Sequence, residues 1–360
     1  MREVLSMPYI HSVECSLAPH YYDQDELTNA LLADWKERYF NPQRIIDFQR
    51  NVLVGGRHLA IPLEEYEALS GFGAFNTAWV KAAVPMATQA VSKVLDAAKI
   101  DAGEIDAIVS TTVTGLAVPS LDARLMNQLP FRRDTRRMPL FGLGCLAGVA
   151  GINRVGDYLE GHPEQAALLV SVELCSLTLQ KQDLSVANIV ASGLFGDGCA
   201  AVLMVGDEHP LAKTAPLRWS NPRSAFFQNT ERVMGWDVVD SGFKVVLSPD
   251  VPKIVAEELP AEVDALMANS GLEQDRPDFL VAHPGGPKVM KAMETALELD
   301  SDALALSWDS LARYGNMSSS SVLFVLRERM QNLPPAGSVG MMAAMGPAFC
   351  AELNLLETVH

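Results

Sequence analysis

One cysteine of the chain has a sequence context that suits a nucleophile. Cys145 lies among glycines in FGLGCLAGVAGI, and an apolar segment of helical length follows it. A cysteine on a sharp turn at the start of a buried helix faces unpaired backbone N–H groups and the positive end of the helix dipole, and both favour the thiolate over the thiol. The alternatives are an inert buried cysteine and a dinucleotide-binding loop, whose glycine spacing this turn exceeds by one residue.

Two other side chains could assist such a nucleophile. His283 ends the apolar stretch FLVAH, and the Pro-Gly-Gly-Pro that follows continues neither a strand nor a helix, so the imidazole would sit on a stiff turn. Asn316 lies in RYGNMSSSS, directly before an apolar segment of helical length. Each has an ordinary structural alternative, as a histidine at a strand end or a helix-capping asparagine. Lys288, after the glycines, does not fit the spacing of a phosphate-binding loop.

An internal repeat relates these residues to one another. Segments 94–111 and 266–283 both read as helix, polar turn and short apolar strand, and the second segment ends at His283. The stretch around Cys145 matches the stretch around Asn316, and CAAVLMV matches CAELNLL near the end of the chain. Three matches in the same order indicate duplicated halves. A pseudo-dyad between the halves would bring the three side chains together as a thiolate–imidazolium pair beside a carboxamide, a nucleophile with two donors for an oxyanion.

The apolar runs of the chain predict the elements that must position this site. AIVSTTV, AALLVSV, AAVLMV and FLVAH have the length and β-branched content of buried strands. They alternate with segments of helical length at 84–99, 146–160, 251–269 and 318–332. This alternation predicts an α/β fold in which each half carries its own sheet and helices are shared between the halves. The polar stretch 207–224 is expected to join the halves, which gives domains of 1–212 and 213–360.

Composition and charge argue against several other classes of protein. With 44 acidic against 28 basic residues in a chain of 360 and a net charge of −16, no binding to nucleic acid is expected. No apolar run is long enough to span a membrane and no secretory signal is visible, so we expect a cytoplasmic protein without a membrane span. The five sparse cysteines fit neither zinc-ribbon spacing nor a disulfide framework, and no metal site is expected.

A family resemblance emerges from the order of the motifs. The GCLAG turn, LFGDG, AHPGGP, YGNMSS and a closing MGPAFCAE resemble those of type III polyketide synthases of the chalcone synthase group. The resemblance implies a thiolase-like fold of two αβαβα halves related by a pseudo-dyad, a homodimer, and direct use of acyl-CoA without an acyl carrier protein or any cofactor. It also implies that Cys145 carries the growing acyl chain. His283 and Asn316 would bind thioester carbonyls and help to decarboxylate malonyl-CoA.

The resemblance assigns further residues around the site. Phe195 matches an aromatic gatekeeper between the CoA tunnel and the cavity, while Val245 stands where plant chalcone synthases have a second aromatic and would widen the passage. Trp236 replaces a small residue and could shorten the polyketide cavity, and Val118 stands where a methionine usually reaches across the dimer. The implied substrate-binding and gating positions are Phe195, Val245, Thr178, Thr114, Val118, Cys175, Trp236, Ser318 and Glu173. The candidate CoA-binding residues, which align loosely, are Arg44, Arg50 and Arg57.

Departures from the plant pattern point to the starter and the product. Thr114 and Cys175 match small positions that, in bacterial long-chain members, open a tunnel for fatty acyl tails. They predict a medium- or long-chain fatty acyl-CoA starter and a pyrone or resorcinol-type product. Glu173 and Ser318 match the cyclisation network of stilbene-type enzymes, but Val113 stands in place of its threonine, so no cyclisation specificity is carried over.

Three alternatives differ in the reaction that they predict. A β-ketoacyl-acyl carrier protein synthase III shares the fold and the Cys-His-Asn chemistry, but usually shows His-Gln-Ala-Asn where this chain has HPGGP. It would condense once, on an acyl carrier protein substrate. A Cys-His-Asn hydrolase would cleave acyl-CoA without malonyl-CoA, and a non-catalytic paralogue would do neither, although all three candidate catalytic residues are present.

Overall fold

The computed structural model describes residues 7–272 and 276–360. Its strands are β1 (Tyr9–Leu17), β2 (His20–Asp23), β3 (Gly56–Leu59), β4 (Ala107–Thr112), β5 (Arg136–Phe141), β6 (Ala166–Leu174), β7 (Asp197–Val205), β8 (Leu217–Phe226), β9 (Met234–Val239), β10 (Gly242–Leu247), β11 (Phe279–Ala282), β12 (Val339–Gly346) and β13 (Cys350–Thr358). Its helices are α1 (Gln24–Trp35), α2 (Pro42–Asn51), α3 (Gly71–Ala98), α4 (Leu121–Leu125), α5 (Ala147–Glu160), α6 (Val186–Leu194), α7 (Val251–Ser270), α8 (Pro287–Ala296), α9 (Ala305–Tyr314) and α10 (Ser321–Gln331).

The elements predicted from the sequence are present. The four apolar runs form β4, β6, β7 and β11, and the four predicted helices appear as α3, α5, α7 and α10. Helix α3 begins at Gly71, well before its predicted start, because Phe75, Trp79 and Ala83 continue one apolar face at helical spacing and are buried. Among the described residues, no helix combines the length and apolar character of a membrane-spanning segment.

Nine strands form one connected sheet, in the order β11-β12-β13-β8-β1-β7-β6-β4-β5. The expectation of a separate sheet in each half is therefore wrong. The half-sheets meet where β1 pairs with β8, through the residue pairs Tyr9–Arg218 and Ile10–Leu217. Both strands would otherwise be sheet edges with unpaired backbone groups, and this short ladder satisfies part of them. The hairpin β9–β10 and the pair β2–β3 form two smaller sheets.

Five layers result from the way in which helices cover the two half-sheets. Helix α3 packs on one face of the N-terminal half-sheet, and α5 and α10 pack between the half-sheets. Helices α7 and α8 cover the outer face of the C-terminal half-sheet. Alternate residues of a strand serve different layers: Leu168 of β6 faces α3, and Leu169 faces the central helices. This is the αβαβα layering implied by the resemblance.

The duplication expected from the sequence is visible in equivalent elements. Helix α3 leads into β4 as α7 leads into β11, and β7 corresponds to β13. A single 3₁₀ turn opens each central helix, Gly144–Leu146 before α5 and Ser318–Ser320 before α10. The predicted boundary between residues 212 and 213 falls in the 3₁₀ turn Pro210–Thr214 and stays a prediction. Part of the predicted joining stretch 207–224 is strand β8.

Candidate active site

Cys145 lies on the sharp strand-to-helix turn that the glycines predicted. Strand β5 ends at Phe141, a 3₁₀ turn carries the cysteine, and α5 begins two residues after it. Gly144 has φ 55°, and a Cβ there would lie 2.5 Å from two ring carbons of Pro347. Glycine is required here both by its backbone conformation and by this close approach. The turn places the cysteine at the central layer with 7% of its surface exposed.

The environment of the sulfur differs from the one expected. Burial raises the pKa of the Cys145 thiol to about 11; hydrogen bonds with Ser318 and Asn316 lower it, and the nearby Glu173 carboxylate raises it. The loss of hydration therefore outweighs these hydrogen bonds in setting the pKa of the thiol. In the free protein the sulfur is a thiol at neutral pH.

His283 sits at the end of β11, directly before the turn of two prolines and two glycines. Its backbone N–H donates to Ala343 O over 2.9 Å, which fixes the residue against β12. Burial lowers the pKa of the imidazole to about 4, so the ring is neutral. Neither ring nitrogen has a hydrogen-bond partner among the described residues. Burial thus disfavours the charged form of both groups, against the expected thiolate–imidazolium pair, and both ring nitrogens are available to a ligand.

Asn316 follows the end of α9, where Gly315 has φ 70°. Its backbone N–H donates to Leu194 O over 2.8 Å, and its side-chain Oδ1 accepts the N–H of Ser318 over 2.8 Å. The side-chain amide donates to Gly285 O, in the turn after His283, over 3.2 Å. Because an amide carries two N–H groups, one remains for a ligand. The side chain thus holds the turn before α10 and still presents a donor.

The three residues line one cavity of about 490 Å³, which we call the catalytic cavity. Ser318 and Val113 also line it. Its apolar lining includes Val52, Val190, Leu194, Met234, Leu247, Met345 and Phe349. A neutral thiol, a neutral imidazole and a carboxamide in an apolar cavity can transfer an acyl group and hold a developing oxyanion.

A second cavity of about 410 Å³, which we call the inner cavity, shares one wall with the first. Three residues line both cavities, Phe195, Trp236 and Val245, and we call them the aromatic wall. Trp236 and Val245 are paired across the β9–β10 hairpin, and the rings of Phe195 and Trp236 are 6.3 Å apart between centroids. All three were predicted gating positions, and the structure brings them together.

Other predicted tunnel residues divide into two groups. Cys175 and Thr178 line the inner cavity, on the far side of the aromatic wall from Cys145. Thr114 lines neither cavity, so its predicted part in a tunnel is wrong. Its hydroxyl donates to Glu173 over 2.9 Å and accepts the indole N–H of Trp79 over 3.1 Å, and these bonds hold the side chain outside both cavities.

Two further predicted positions lie outside the cavities. Glu173 is buried, accepts the backbone N–H of Val113, and contacts the hydroxyls of Thr114 and Ser319. Burial raises the pKa of its carboxyl to about 7. Val118 is 98% exposed on the surface. Glu173 therefore influences the site through its charge and through neighbouring residues, and Val118 does not line the cavities of its own chain.

The three candidate CoA-binding arginines have different environments. Arg57 is buried in the lining of the inner cavity, and its Nη1 donates to the carbonyls of Ser192 and Phe195; this burial contradicts the prediction that it binds CoA. Arg44 and Arg50 are exposed on α2, the helix that also contributes Phe48 and Asn51 to the lining of the catalytic cavity.

Lys288 is a functional candidate that the sequence did not assign. It is exposed in the first turn of α8 and lines the catalytic cavity, as Pro287 beside it does. The sequence signal for it is its place directly after HPGGP, although the spacing there does not fit a phosphate-binding loop. A cation at this rim suits an anionic substrate such as a CoA thioester.

A buried Cys-His-Asn site at the centre of two duplicated α/β halves defines an acyl-transferring enzyme of thiolase-like fold. Residues 220–360 match the family described as chalcone and stilbene synthases, C-terminal domain, and residues 75–218 match the FAE1/type III polyketide synthase-like proteins. The chain belongs to the type III polyketide synthases. Enzymes of this family use acyl-CoA and malonyl-CoA without an acyl carrier protein, and the match favours them over the ketoacyl synthase III and hydrolase alternatives.

Individual relatives are similar over most of the chain. A 1,3,6,8-tetrahydroxynaphthalene synthase of Streptomyces peucetius subsp. caesius is 43% identical over 97% of this chain and 92% of its own. An alpha-pyrone synthesis polyketide synthase-like protein of Mycobacterium tuberculosis is 32% identical over 77% of this chain and 71% of its own. The crystal structure of the 1,3,6,8-tetrahydroxynaphthalene synthase of Streptomyces coelicolor A3(2) has a TM-score of 0.91 and 30% identity, and covers 98% of this chain and 99% of its own.

Proposed function

We propose that this enzyme loads a medium- or long-chain fatty acyl-CoA on Cys145, extends it with malonyl-CoA and releases a pyrone or resorcinol-type product. The observation that carries the proposal is the pair of cavities with a shared aromatic wall, one containing Cys145 and the other lined largely by apolar residues. Cys175, Leu27, Leu31, Leu63 and Leu179 belong to that lining. An alkyl tail gains roughly 0.8 kcal/mol for each methylene that it buries there.

Loading begins from neutral groups. As the sulfur of Cys145 attacks the thioester carbonyl, the imidazole of His283 takes the thiol proton. His283 then gives this proton to the CoA sulfur as CoA leaves. Proton transfer to His283 and attack by the Cys145 sulfur are thus coupled, so the buried site does not need a preformed thiolate. The carbonyl oxygen receives hydrogen bonds from the amide of Asn316 and from the ring N–H of His283.

Decarboxylation of malonyl-CoA uses the same two donors. The carboxylate leaves as carbon dioxide, and its electron pair passes into the thioester to form an enolate on the carbonyl oxygen. Neutral donors in a cavity of apolar walls stabilise that oxygen at the moment when its charge develops. The enolate carbon then attacks the acyl carbonyl on Cys145, the carbon–sulfur bond to Cys145 breaks, and the extended chain leaves as its CoA thioester. Cys145 departs as a thiolate, which can be acylated again by the extended chain as CoA leaves. We propose that acyl-CoA and malonyl-CoA suffice for this chemistry and that no cofactor takes part.

A second candidate is an aromatic polyketide built from malonyl-CoA alone. The relative that is 43% identical is a 1,3,6,8-tetrahydroxynaphthalene synthase, and two features of the structure favour a compact product. Trp236, a large side chain, belongs to the wall between the two cavities, and Thr114 lines neither of them. In this candidate the inner cavity holds the growing polyketide chain rather than an alkyl tail.

One experiment separates these candidates. The purified enzyme is incubated with malonyl-CoA alone, and with malonyl-CoA plus each starter from acetyl-CoA to palmitoyl-CoA, and the products are identified by mass spectrometry. The fatty acyl proposal expects kcat/KM to rise with chain length and products that retain the alkyl tail. A naphthalene from malonyl-CoA alone, unaffected by added fatty acyl-CoA, would contradict it and support the second candidate.

We also propose that the enzyme is a homodimer and that a second copy covers the surface at Val118. That side chain is 98% exposed and Leu116 near it is 40% exposed, which is unusual for apolar residues. Light scattering coupled to size-exclusion chromatography should give a mass twice that of the chain. Val118→Asp should shift it toward the monomer; a monomeric wild-type enzyme contradicts the proposal.

A further inference from the structure

A chain of hydrogen bonds that the reaction above does not use lies in the inner cavity. Tyr66 and Ser176 both line this cavity, and their hydroxyl oxygens are 2.5 Å apart. Ser176 Oγ in turn donates to Asp197 Oδ2 over 2.5 Å. Because a hydroxyl has a single hydrogen, the hydrogen between Tyr66 and Ser176 comes from the phenol. Donation therefore runs from Tyr66, at the cavity surface, to a carboxylate behind it.

Asp197 is held in place at the end of this chain. It is fully buried at the first position of β7, its Oδ2 accepts the N–H of Ala60 over 2.7 Å, and its Oδ1 accepts the N–H of Ser176 over 2.8 Å. Burial raises the pKa of its carboxyl to about 6; the bonds from Ser176 and Ala60 and the charge of Arg57 lower it. The carboxylate can therefore take up a proton near neutral pH and is fixed in one orientation.

The remaining carboxylates near the two cavities are less suited to such a role. Glu173 lines neither cavity, and Val113, Thr114 and Ser319 occupy its oxygens. Three acidic residues line the inner cavity but are exposed to solvent, namely Asp34, Glu64 and Glu67. Of the carboxylates in the described part of the site, Asp197 is thus the buried one that connects to a cavity through a hydrogen-bonded chain.

We propose that Tyr66 is a catalytic acid–base residue for carbon–carbon ring closure of the polyketide in the inner cavity, and that Ser176 and Asp197 position it and store the proton. The proposal rests on the proposed function, because it requires a poly-β-ketone that extends from Cys145 past the aromatic wall. Of the two candidates it fits the second more directly, in which the growing polyketide chain occupies the inner cavity; with a fatty acyl starter the tail must lie beyond the ketone segment.

Every proton that moves during ring closure is supplied and returned by the chain of hydrogen bonds from Tyr66 to Asp197. An enol O–H of the polyketide donates its proton to Tyr66, whose own proton moves to Ser176 while that of Ser176 moves to Asp197. The enolate carbon forms the new carbon–carbon bond to a ketone carbon, and the ketone π bond breaks to leave an alkoxide. The alkoxide takes a proton back along the same path, and all three residues return to their starting state.

The test compares the enzyme with Tyr66→Phe, which keeps the ring and removes the hydroxyl, and with Ser176→Ala. Tyr158→Phe, which removes a tyrosine hydroxyl outside both cavities, is the matched control. For each protein we would measure loading of Cys145 by intact mass, release of carbon dioxide from malonyl-CoA, the ratio of carbon–carbon-closed products to lactones, and the Tm.

The expected result is a change in product ratio larger than any change in the earlier steps. In Tyr66→Phe and Ser176→Ala the ratio of closed products to lactones should fall about tenfold or more, as for loss of one acid–base group, and this fall should exceed any loss in loading and decarboxylation. The control should keep the wild-type ratio.

Three results would overturn the relay. They are an unchanged product ratio in the two variants, a proportional fall of all steps together with the Tm, and a wild-type enzyme that releases lactones alone. A wild-type enzyme that fails to condense malonyl-CoA would instead overturn the proposed function, and the relay with it.

Discussion

Phe195 and Asn316 form an isolated parallel β-bridge, so the backbone of the gatekeeper is tied to that of the candidate oxyanion donor. Asn316 N–H donates to Leu194 O, and Gly196 N–H donates to Asn316 O over 3.0 Å. One residue comes from each half of the duplicated fold. The bridge therefore fixes the aromatic wall relative to the catalytic cavity, and a displacement of either residue is transmitted to the other.

Asn316→Ala should impair decarboxylation of malonyl-CoA more than loading of the starter. The enolate oxygen is stabilised by both donors, the Asn316 amide and the His283 ring N–H. The Cys145 sulfur can still be acylated when one of these donors is absent. We expect a loss on the order of a hundred- to a thousandfold in carbon dioxide release and a smaller loss in loading. His283→Ala should slow both steps, because it also removes the base. Equal losses from Asn316→Ala in the two steps would contradict this division of roles.

The reactivity of Cys145 in the free enzyme should increase steeply with pH. With a thiol pKa of about 11 the thiolate fraction at pH 8 is about one part in a thousand, and it grows roughly tenfold per pH unit. Alkylation by iodoacetamide, localised by peptide mass spectrometry, should follow this increase from about pH 7 to about pH 9. A plateau reached near neutral pH would show a preformed thiolate–imidazolium pair.

Cys175→Phe should shorten the preferred starter if the inner cavity binds the alkyl tail. The larger ring fills space beyond the aromatic wall, and each methylene that is no longer buried costs roughly 0.8 kcal/mol, or about fourfold in affinity. The ratio of kcat/KM for palmitoyl-CoA over acetyl-CoA should fall, while Cys15→Ser, outside both cavities, leaves it unchanged. If Cys175→Phe does not alter that ratio, the tail lies elsewhere.

Gly144→Ala should disturb the nucleophile turn without abolishing the fold. The added methyl meets Pro347, and φ 55° is unfavourable for alanine. We expect a loss of about 2 kcal/mol in the free energy of unfolding, measured by urea denaturation, and a larger relative loss of Cys145 loading. The control is Gly271→Ala, also at positive φ, where no atom lies within 4 Å of the added carbon. Equal effects of the two variants on loading would contradict the role of the close approach.

Much of the site could be predicted from the sequence because its positions follow local rules. The turn at Cys145 follows from glycines at a strand end, His283 from an apolar run that stops at prolines, and Asn316 from its equivalence to the cysteine in the repeat. These signals depend on neighbouring residues or on the repeat, so they can be recognised in a single sequence. The aromatic wall was reached only through the family resemblance, since Phe195 and Val245 carry no local signal of their own.

The predictions that failed depend on contacts between distant parts of the chain. Arg57 was predicted to bind CoA, but it is buried and its Nη1 donates to the carbonyls of Ser192 and Phe195. Thr114 is turned from the cavity by Trp79 and Glu173, which lie far from it in sequence. Burial determines which charge state of Cys145 is favoured, and the residues around Cys145 in the sequence do not predict how deeply it is buried. Pairing of β1 with β8 likewise joins two strand edges that are distant in sequence.

The most direct test of the account is where the acyl group is attached. Intact-mass measurement after incubation with an acyl-CoA should show one adduct on the wild-type enzyme, and peptide mapping should place it on Cys145. The adduct should be absent from Cys145→Ala and present in variants of Cys15, Cys199 and Cys350, which line neither cavity. An adduct that persists in Cys145→Ala would contradict the account, because the cavity, the two donors and the aromatic wall are all assigned around that sulfur.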